Sequence, residues 1–261
     1  MMHEKKIHSH TAILICSYDG AEDLWKPLSQ TYKTYWKDCP YKIYLGTNHK
    51  QPKLPPFIPL TIGNELSWSD NILKCLERIK EKNVLIIFDD VFLYKKIDTR
   101  LITEFTDIAY EHQWSYLRLS PDPHFDKRFR GSIGKIFPNR LYRTSTAWAI
   151  FKKKVLIDLL DPKESAWDFE ILGSHRSNKY SEFYSIDTTV LPYLNGVVKG
   201  KWVRKVFYYL KANGFSVSEE DIRLMSHWEN ISFQAIRIRS FLFSKIIPKS
   251  IQLKLRTKFH K

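Results

Sequence analysis

The chain has 261 residues, 43% hydrophobic and 27% charged, a balance that suits one large α/β domain with a short appendage. Its formal net charge of +14 points to an anionic partner: a phosphorylated substrate, a nucleic acid or an acidic membrane surface. No run approaches the ~18 apolar residues of a membrane span. Cys16, Cys39 and Cys75 are odd in number and never spaced CxxC, which argues against a disulfide framework. The N-terminal MMHEKKIHSH lacks the apolar stretch of a secretory signal, so reduced thiols and a cytoplasmic location are expected.

In chain order, TAILICSY (11–18) is almost continuously apolar and predicts a strand covered on both faces. Residues 21–36 predict a helix, YKIYLGT (41–47) a strand, and the Pro-rich QPKLPPFIP (51–59) a loop. Ser69 is expected to cap a helix reaching Lys82, with Leu73, Leu76 and Ile79 on one face. NVLIIF (83–88) is the clearest buried strand. Asp98 predicts the cap of a helix that turns Leu101, Ile102, Phe105 and Ile108 inward. SYLRLS (115–120) reads as a strand, and YRTSTAWAIF (142–151) as a strand feeding the helix KKKVLIDLL. WVRKVFYYLKANG (202–214) predicts a helix stopped at Asn213-Gly214, and 219–230 another. Apolar runs alternating with amphipathic stretches predict βαβ units around a mostly parallel sheet. The expected division is a main α/β domain over 1–215 and a basic helical extension over 216–261.

VLIIFDDVF (84–92) drives a buried strand straight into two acids. In an open α/β sheet, ligands bind beyond the carboxyl ends of the strands. Adjacent carboxylates there repel unless a cation sits beside them, and a divalent ion would also hold a diphosphate and stabilise it as it leaves. Asp89 and Asp90 are therefore candidate metal ligands; a simple turn cap is the competing reading.

The succession TAILICSY, YKIYLGT, SDNILKCLERI and FDD resembles the nucleotide-binding half of GT-A glycosyltransferases. SWSDNILKCLERI, VLIIFDDVFL and ESAWDFEILGSHRS together resemble a bacterial family associated with capsule and surface-polysaccharide synthesis, across about residues 11–205. The resemblance implies a GT-A-like (Rossmann-like) fold and transfer of a sugar from a nucleotide-sugar donor to a saccharide acceptor, free or lipid-linked. It also implies a divalent cofactor, Mn2+ or Mg2+, at the acidic motif. DDVF departs from the spaced DxD of such enzymes; Asp90 is assigned the metal, with Asp89 on the ribose or in support. By the same resemblance Asp70 touches the nucleoside, although Ser67 and Asp70 also read as a capping box. Ser17, Tyr18 and Asp19 should border the base pocket.

An inverting transfer needs a base for the attacking hydroxyl, and the resemblance places it within KESAWDFEILGS (163–174). Ser165 and Asp168 form an S-x-x-D capping pattern, which gives Asp168 a local task. Glu170 has none and follows Trp167 and Phe169, whose rings could line an acceptor pocket, so Glu170 is assigned as base and Asp168 is its competitor. Arg176, Lys199 and Lys201 are candidates for neutralising the diphosphate; His175 is a weaker metal candidate.

The segment 231–261 holds eight Lys/Arg and no Asp or Glu, with Ile231, Ala235, Ile238, Leu242 and Ile246 at helical spacing. Such a segment can lie on an anionic membrane face or pack on the protein itself. A nucleic-acid-binding protein and a nucleotidyltransferase on a similar sheet are the competing functional classes. The first lacks RNP, helix-turn-helix and zinc-finger signatures, and nucleic acid is not an expected partner.

Overall fold

The computed structural model describes residues 10–218, 223–226 and 228–229. β1 (Thr11–Cys16) leads through a short 3-10 turn into α1 (Glu22–Tyr35). β2 (Ile43–Thr47), β3 (Phe57–Thr61), α2 (Trp68–Arg78), β4 (Asn83–Phe88) and β5 (Val91–Leu93) follow. Next come α3 (Thr99–Glu111), β6 (Tyr116–Arg118), β7 (Lys127–Arg130), β8 (Ile133–Lys135), β9 (Ala149–Lys152) and α4 (Lys153–Leu159). A continuous helical run joins α5 (Ala166–Asp168), a π-helical turn (Phe169–Gly173) and α6 (Ser174–Arg176). β10 (Phe183–Ile186), β11 (Tyr193–Asn195), β12 (Val197–Val198), β13 (Lys201–Trp202) and α7 (Arg204–Ala212) complete the order.

The main sheet has the order β3-β2-β1-β4-β9-β6-β10-β8-β7, with β9 and β8 running against the rest. This is the mixed, mostly parallel α/β sheet flanked by helices that the alternating pattern predicts. β1 and β4 pair along their whole length, from Thr11↔Asn83 to Cys16↔Phe88. Their alternate side chains feed two cores. Ile13, Ile15, Leu85 and Ile87 pack with α1, α3 and α7, whereas Ala12, Leu14, Val84 and Ile86 pack with α2 and α4. Covered on both faces, these strands carry apolar residues at nearly every position.

The chain steps outward from β1 to β2 and β3, then crosses back to set β4 on the other side of β1. The switch point of the sheet therefore lies between the carboxyl ends of β1 and β4, where such sheets open a ligand crevice. β5 turns away from the main sheet and pairs with β11, Val91 opposite Asn195.

Several expected elements differ. Phe57–Thr61 is a strand where a loop is predicted, because β3 is the sheet edge and Pro59 can leave its missing N–H on the open side. The α2 cap is Ser67, whose Oγ accepts the Asp70 N–H at 3.0 Å, while Ser69 is buried inside the helix. Of the predicted strand 142–151 only 149–151 is extended, in a strand that runs on to Lys152. Tyr142 and Trp148 take left-handed φ of 56° and 54°, and the Arg143, Thr144 and Thr146 side chains bind neighbouring chain segments instead. The helix predicted over 219–230 is not formed at 223–226, where Leu224 bridges Trp202. α3 begins and α7 ends close to expectation, with Asp98 capping through Leu101 N–H at 3.1 Å and Gly214 at φ 78°. The basic segment 231–261 lies outside the described residues. Among those described, no helix is long and apolar enough to cross a membrane.

Candidate active site at the sheet switch point

Ser17, one residue past β1, donates its hydroxyl to Asp89 Oδ2 at 2.5 Å and accepts the Trp25 indole N–H at 2.7 Å. This relay ties the end of β1 and the first turns of α1 to the residue that ends β4. Asp89 is half-buried, and loss of solvent, with the Asp90 charge beside it, pushes its carboxyl up to about 7 against the Ser17 bond. Burial likewise raises Asp90 to about 6. The Asp90 carbonyl accepts the Gly196 N–H at 2.6 Å, which anchors the segment after the acids on the β11 side. A side chain at Gly196 would meet the Phe92 ring at 2.2 Å, so the close approach requires glycine.

Asp89 lines a pocket of about 230 Å³ between the ends of β1, β2 and β4 and the face of α2. Its walls include Tyr18, Gly46, Ile62, Trp68, Ile72 and Phe88. Tyr18 is 48% exposed, and its ring lies where a Gly20 Cβ would intrude at 2.4 Å.

Glu170 lies in the π-helical turn. Its Oε1 accepts the Ser145 hydroxyl at 3.0 Å, the Thr146 N–H at 2.7 Å and the Thr146 hydroxyl at 3.0 Å. All three bonds fall on one oxygen, so the carboxylate orientation is set by the 142–148 loop. The turn behind it is held by Ser174, whose hydroxyl donates to the Glu170 carbonyl at 2.5 Å and accepts the Thr144 N–H. Trp68 links the two acid centres: its ring stacks on Phe88 at 6.3 Å and packs against Phe169 at 5.5 Å, the residues that precede Asp89 and Glu170. Trp68, one wall of the pocket, thus touches both acidic segments.

Other predicted site residues have local tasks. Asp19 is half-buried; burial opposes its charge, but the N–H groups of His49, Asn48 and Lys50 converge on the carboxylate and hold it below its ordinary range. It clamps the β2–β3 loop rather than facing the pocket. The Asp70 carboxylate pairs with Lys74 at 2.6 Å. Asp168 completes a capping box with Ser165, accepting its N–H at 3.2 Å and its hydroxyl at 2.6 Å. Trp167 is 70% exposed beside it. Lys199 and Gly200 form the exposed tip of the β12–β13 hairpin, and Lys201 pairs with Glu229. His175 is exposed.

Arg176 departs furthest from its predicted role. Its guanidinium forks onto Glu164 at 2.6 and 2.5 Å and donates from Nε to the Leu159 carbonyl at 2.8 Å. Glu164 is only 7% exposed, so the fork neutralises a buried carboxylate instead of meeting a diphosphate. Arg176→Ala is expected to lower unfolding stability by about 2–3 kcal/mol, short of the ~3–5 kcal/mol for a fully buried pair. Nucleotide affinity should stay within twofold of wild type. Urea titration and calorimetric binding check this, and a stable variant with weakened nucleotide binding would return Arg176 to the site.

No protein-family model and no curated protein matches the chain. Among solved structures it is similar to residues 1–349 of S. aureus TarS in complex with UDP-GlcNAc. The TM-score is 0.49 at 11% identity, covering 77% of this chain and 64% of that one. It is also similar to a cytidylyltransferase from Leptospira borgpetersenii (TM-score 0.43, 11% identity, 97% and 95% covered). A third likeness is to UDP-glucose pyrophosphorylase complexed with UDP-glucose (TM-score 0.47, 8% identity, 70% and 91% covered). The chain spans less than two thirds of the length of the TarS structures it matches. At these scores the fold assignment rests on the chain's own strand order and register.

Sequence reasoning missed four participants. Trp25 and Asp23 sit in the first turns of α1, and Asp23 adds to the negative field that raises Asp89 and accepts the Trp202 indole at 3.2 Å. Ser145 and Thr146 fall in a segment read as strand. An acid in the helix turn after β1 was a usable signal for Asp23; nothing local marks the other three.

Proposed function

We propose that the protein is a nucleotide-sugar-dependent glycosyltransferase, inverting and metal-dependent, which acts on a saccharide acceptor, lipid-linked or free, in surface-polysaccharide synthesis. The observation that carries this reading is the pair Asp89–Asp90 at the sheet switch point, with Glu170 on a segment that packs against Trp68 through Phe169.

A divalent cation fits the donor set. Two half-buried carboxylates whose proton affinity is raised by burial, and for Asp89 also by the Asp90 charge, gain from a positive neighbour. Among the described residues no three His, Cys, Asp or Glu side chains converge on one point, so the ion would share its coordination with substrate phosphates and water, as Mg2+ commonly does. Asp90 would hold Mn2+ or Mg2+, with Asp89 oriented by Ser17 in support; the ion supplies charge neutralisation to the departing diphosphate. Glu170 takes the proton of the acceptor hydroxyl as its oxygen bonds to the anomeric carbon and the bond from that carbon to the diphosphate breaks. With Oε1 occupied by Ser145 and Thr146, Oε2 is the oxygen for that proton.

The test is incubation with a panel of nucleotide sugars and Mn2+ or Mg2+, with separate assays for released nucleoside diphosphate and inorganic pyrophosphate. Metal-dependent release of nucleoside diphosphate is expected. Pyrophosphate formation from a nucleoside triphosphate and a sugar phosphate would instead establish nucleotidyl transfer.

A further inference from the structure

Two buried polar side chains on β6 have no part in the reaction as described, yet both reach the loop that holds Glu170. β6 lies inside the main sheet between β9 and β10, which makes it a fixed reference. Tyr116 and Arg118 stand two residues apart on this strand and share one face. Arg118, 1% exposed, donates from Nη1 to the Tyr142 carbonyl at 3.0 Å. The Tyr116 hydroxyl donates to the Ser145 carbonyl at 2.7 Å. Burial pushes that hydroxyl up to about 12, against the Arg118 charge beside it, so it keeps its proton at neutral pH. Ser145 is the residue whose own hydroxyl goes on to Glu170 Oε1.

We propose that Tyr116 is a positioning residue for the transfer reaction, setting the Glu170 carboxylate through Ser145. The inference rests on the reading of Glu170 as the base and adds how that base is aligned. The 142–148 loop contains neither strand nor helix, so side-chain bonds fix its course. The line from sheet to base is short: the Tyr116 hydroxyl, the Ser145 main chain, the Ser145 hydroxyl, then Glu170. Displacing a reacting group by about 1 Å can cost roughly 10²-fold in rate, so this hydroxyl can govern turnover without touching substrate. The Tyr116 ring is held separately, stacked on Phe183 at 5.0 Å and edge-on to Phe151 at 4.8 Å. Removing the oxygen alone therefore loosens the line to Glu170 and keeps the core packing.

The test introduces Tyr116→Phe into the full chain and into Glu170→Gln, using the most active donor of the nucleotide-sugar panel and its nucleoside diphosphate. Alone, Tyr116→Phe is expected to melt cooperatively and to lower kcat about 10–100-fold. Affinity for the nucleoside diphosphate should stay within about twofold of wild type, as for an interaction that matters only during transfer. In the Glu170→Gln background the same change is expected to cost less than about twofold further, because the group it aligns is already gone. A loss equally large in both backgrounds would mean that Tyr116 acts on something other than Glu170 and would overturn the proposal. Near-normal kcat in Tyr116→Phe overturns it as well, and so does a variant without a cooperative melt, which would make Tyr116 a residue of the fold. Each of these outcomes leaves Glu170 standing as the base provided that Glu170→Gln is itself impaired. Near-normal turnover of Glu170→Gln removes the base reading, and this proposal with it.

Discussion

Glu170→Gln should lower kcat by about 10²–10⁴-fold while leaving donor affinity nearly intact. The prediction follows from how the side chain is held. Ser145 and Thr146 donate to Oε1, and glutamine keeps an oxygen there, so the loop and the π-helical turn stay tied. What the variant loses is an oxygen able to take the proton of the attacking hydroxyl. Steady-state kinetics and nucleotide titration separate the two quantities, since an interaction made only during transfer moves kcat and leaves binding alone. Near-normal turnover would remove Glu170 from the reaction. The base would then have to be sought elsewhere, Asp168 first, although its Oδ2 is engaged in the capping box with Ser165.

Asp89→Asn is expected to act in opposite directions on stability and activity. Burial, with Asp90 beside it, raises the folded-state Asp89 from an ordinary 3.8 to about 7. Between those values the folded chain binds a proton that the unfolded chain has released, so stability falls as pH rises through this window. Below pH ~4 both states are protonated and the difference vanishes; above pH ~7 the full cost is present. Asparagine keeps an oxygen for the Ser17 hydroxyl and removes the charge. The variant should therefore melt several degrees higher than wild type at pH 8, a gain on the order of 2–4 kcal/mol at most, and the gain should shrink toward zero at pH 4. Metal-dependent transfer should be lost, a pattern expected when a site is retained at the expense of stability. Thermal melts across pH check the sign, and a variant less stable than wild type at pH 8 would contradict the account.

How much of this was legible depended on whether the determining contact was local. β1 and β4 were readable because strands buried on both faces carry apolar residues without alternation. The acids ending β4, and the pairings of Ser67 with Asp70 and Ser165 with Asp168, also lie within a few residues of their cause. β3 was missed because Pro59 and the prolines before it read as loop, and only its place at the sheet edge makes Pro59 tolerable. The loop 142–148 was read as a strand because most of its side-chain partners lie 24 or more residues away, on the π-helical turn and beyond. Arg176 looked free for phosphate since nothing in its own neighbourhood shows Glu164, twelve residues earlier, folding back to its guanidinium.

The most direct measurement is anomalous diffraction from crystals grown with Mn2+ and a nucleoside diphosphate. The account predicts a manganese peak within coordination distance of the Asp90 carboxylate, bridged to the diphosphate, with Asp89 still bonded to Ser17. Manganese and diphosphate bound away from the end of β4, with both aspartates contacting solvent alone, would contradict it.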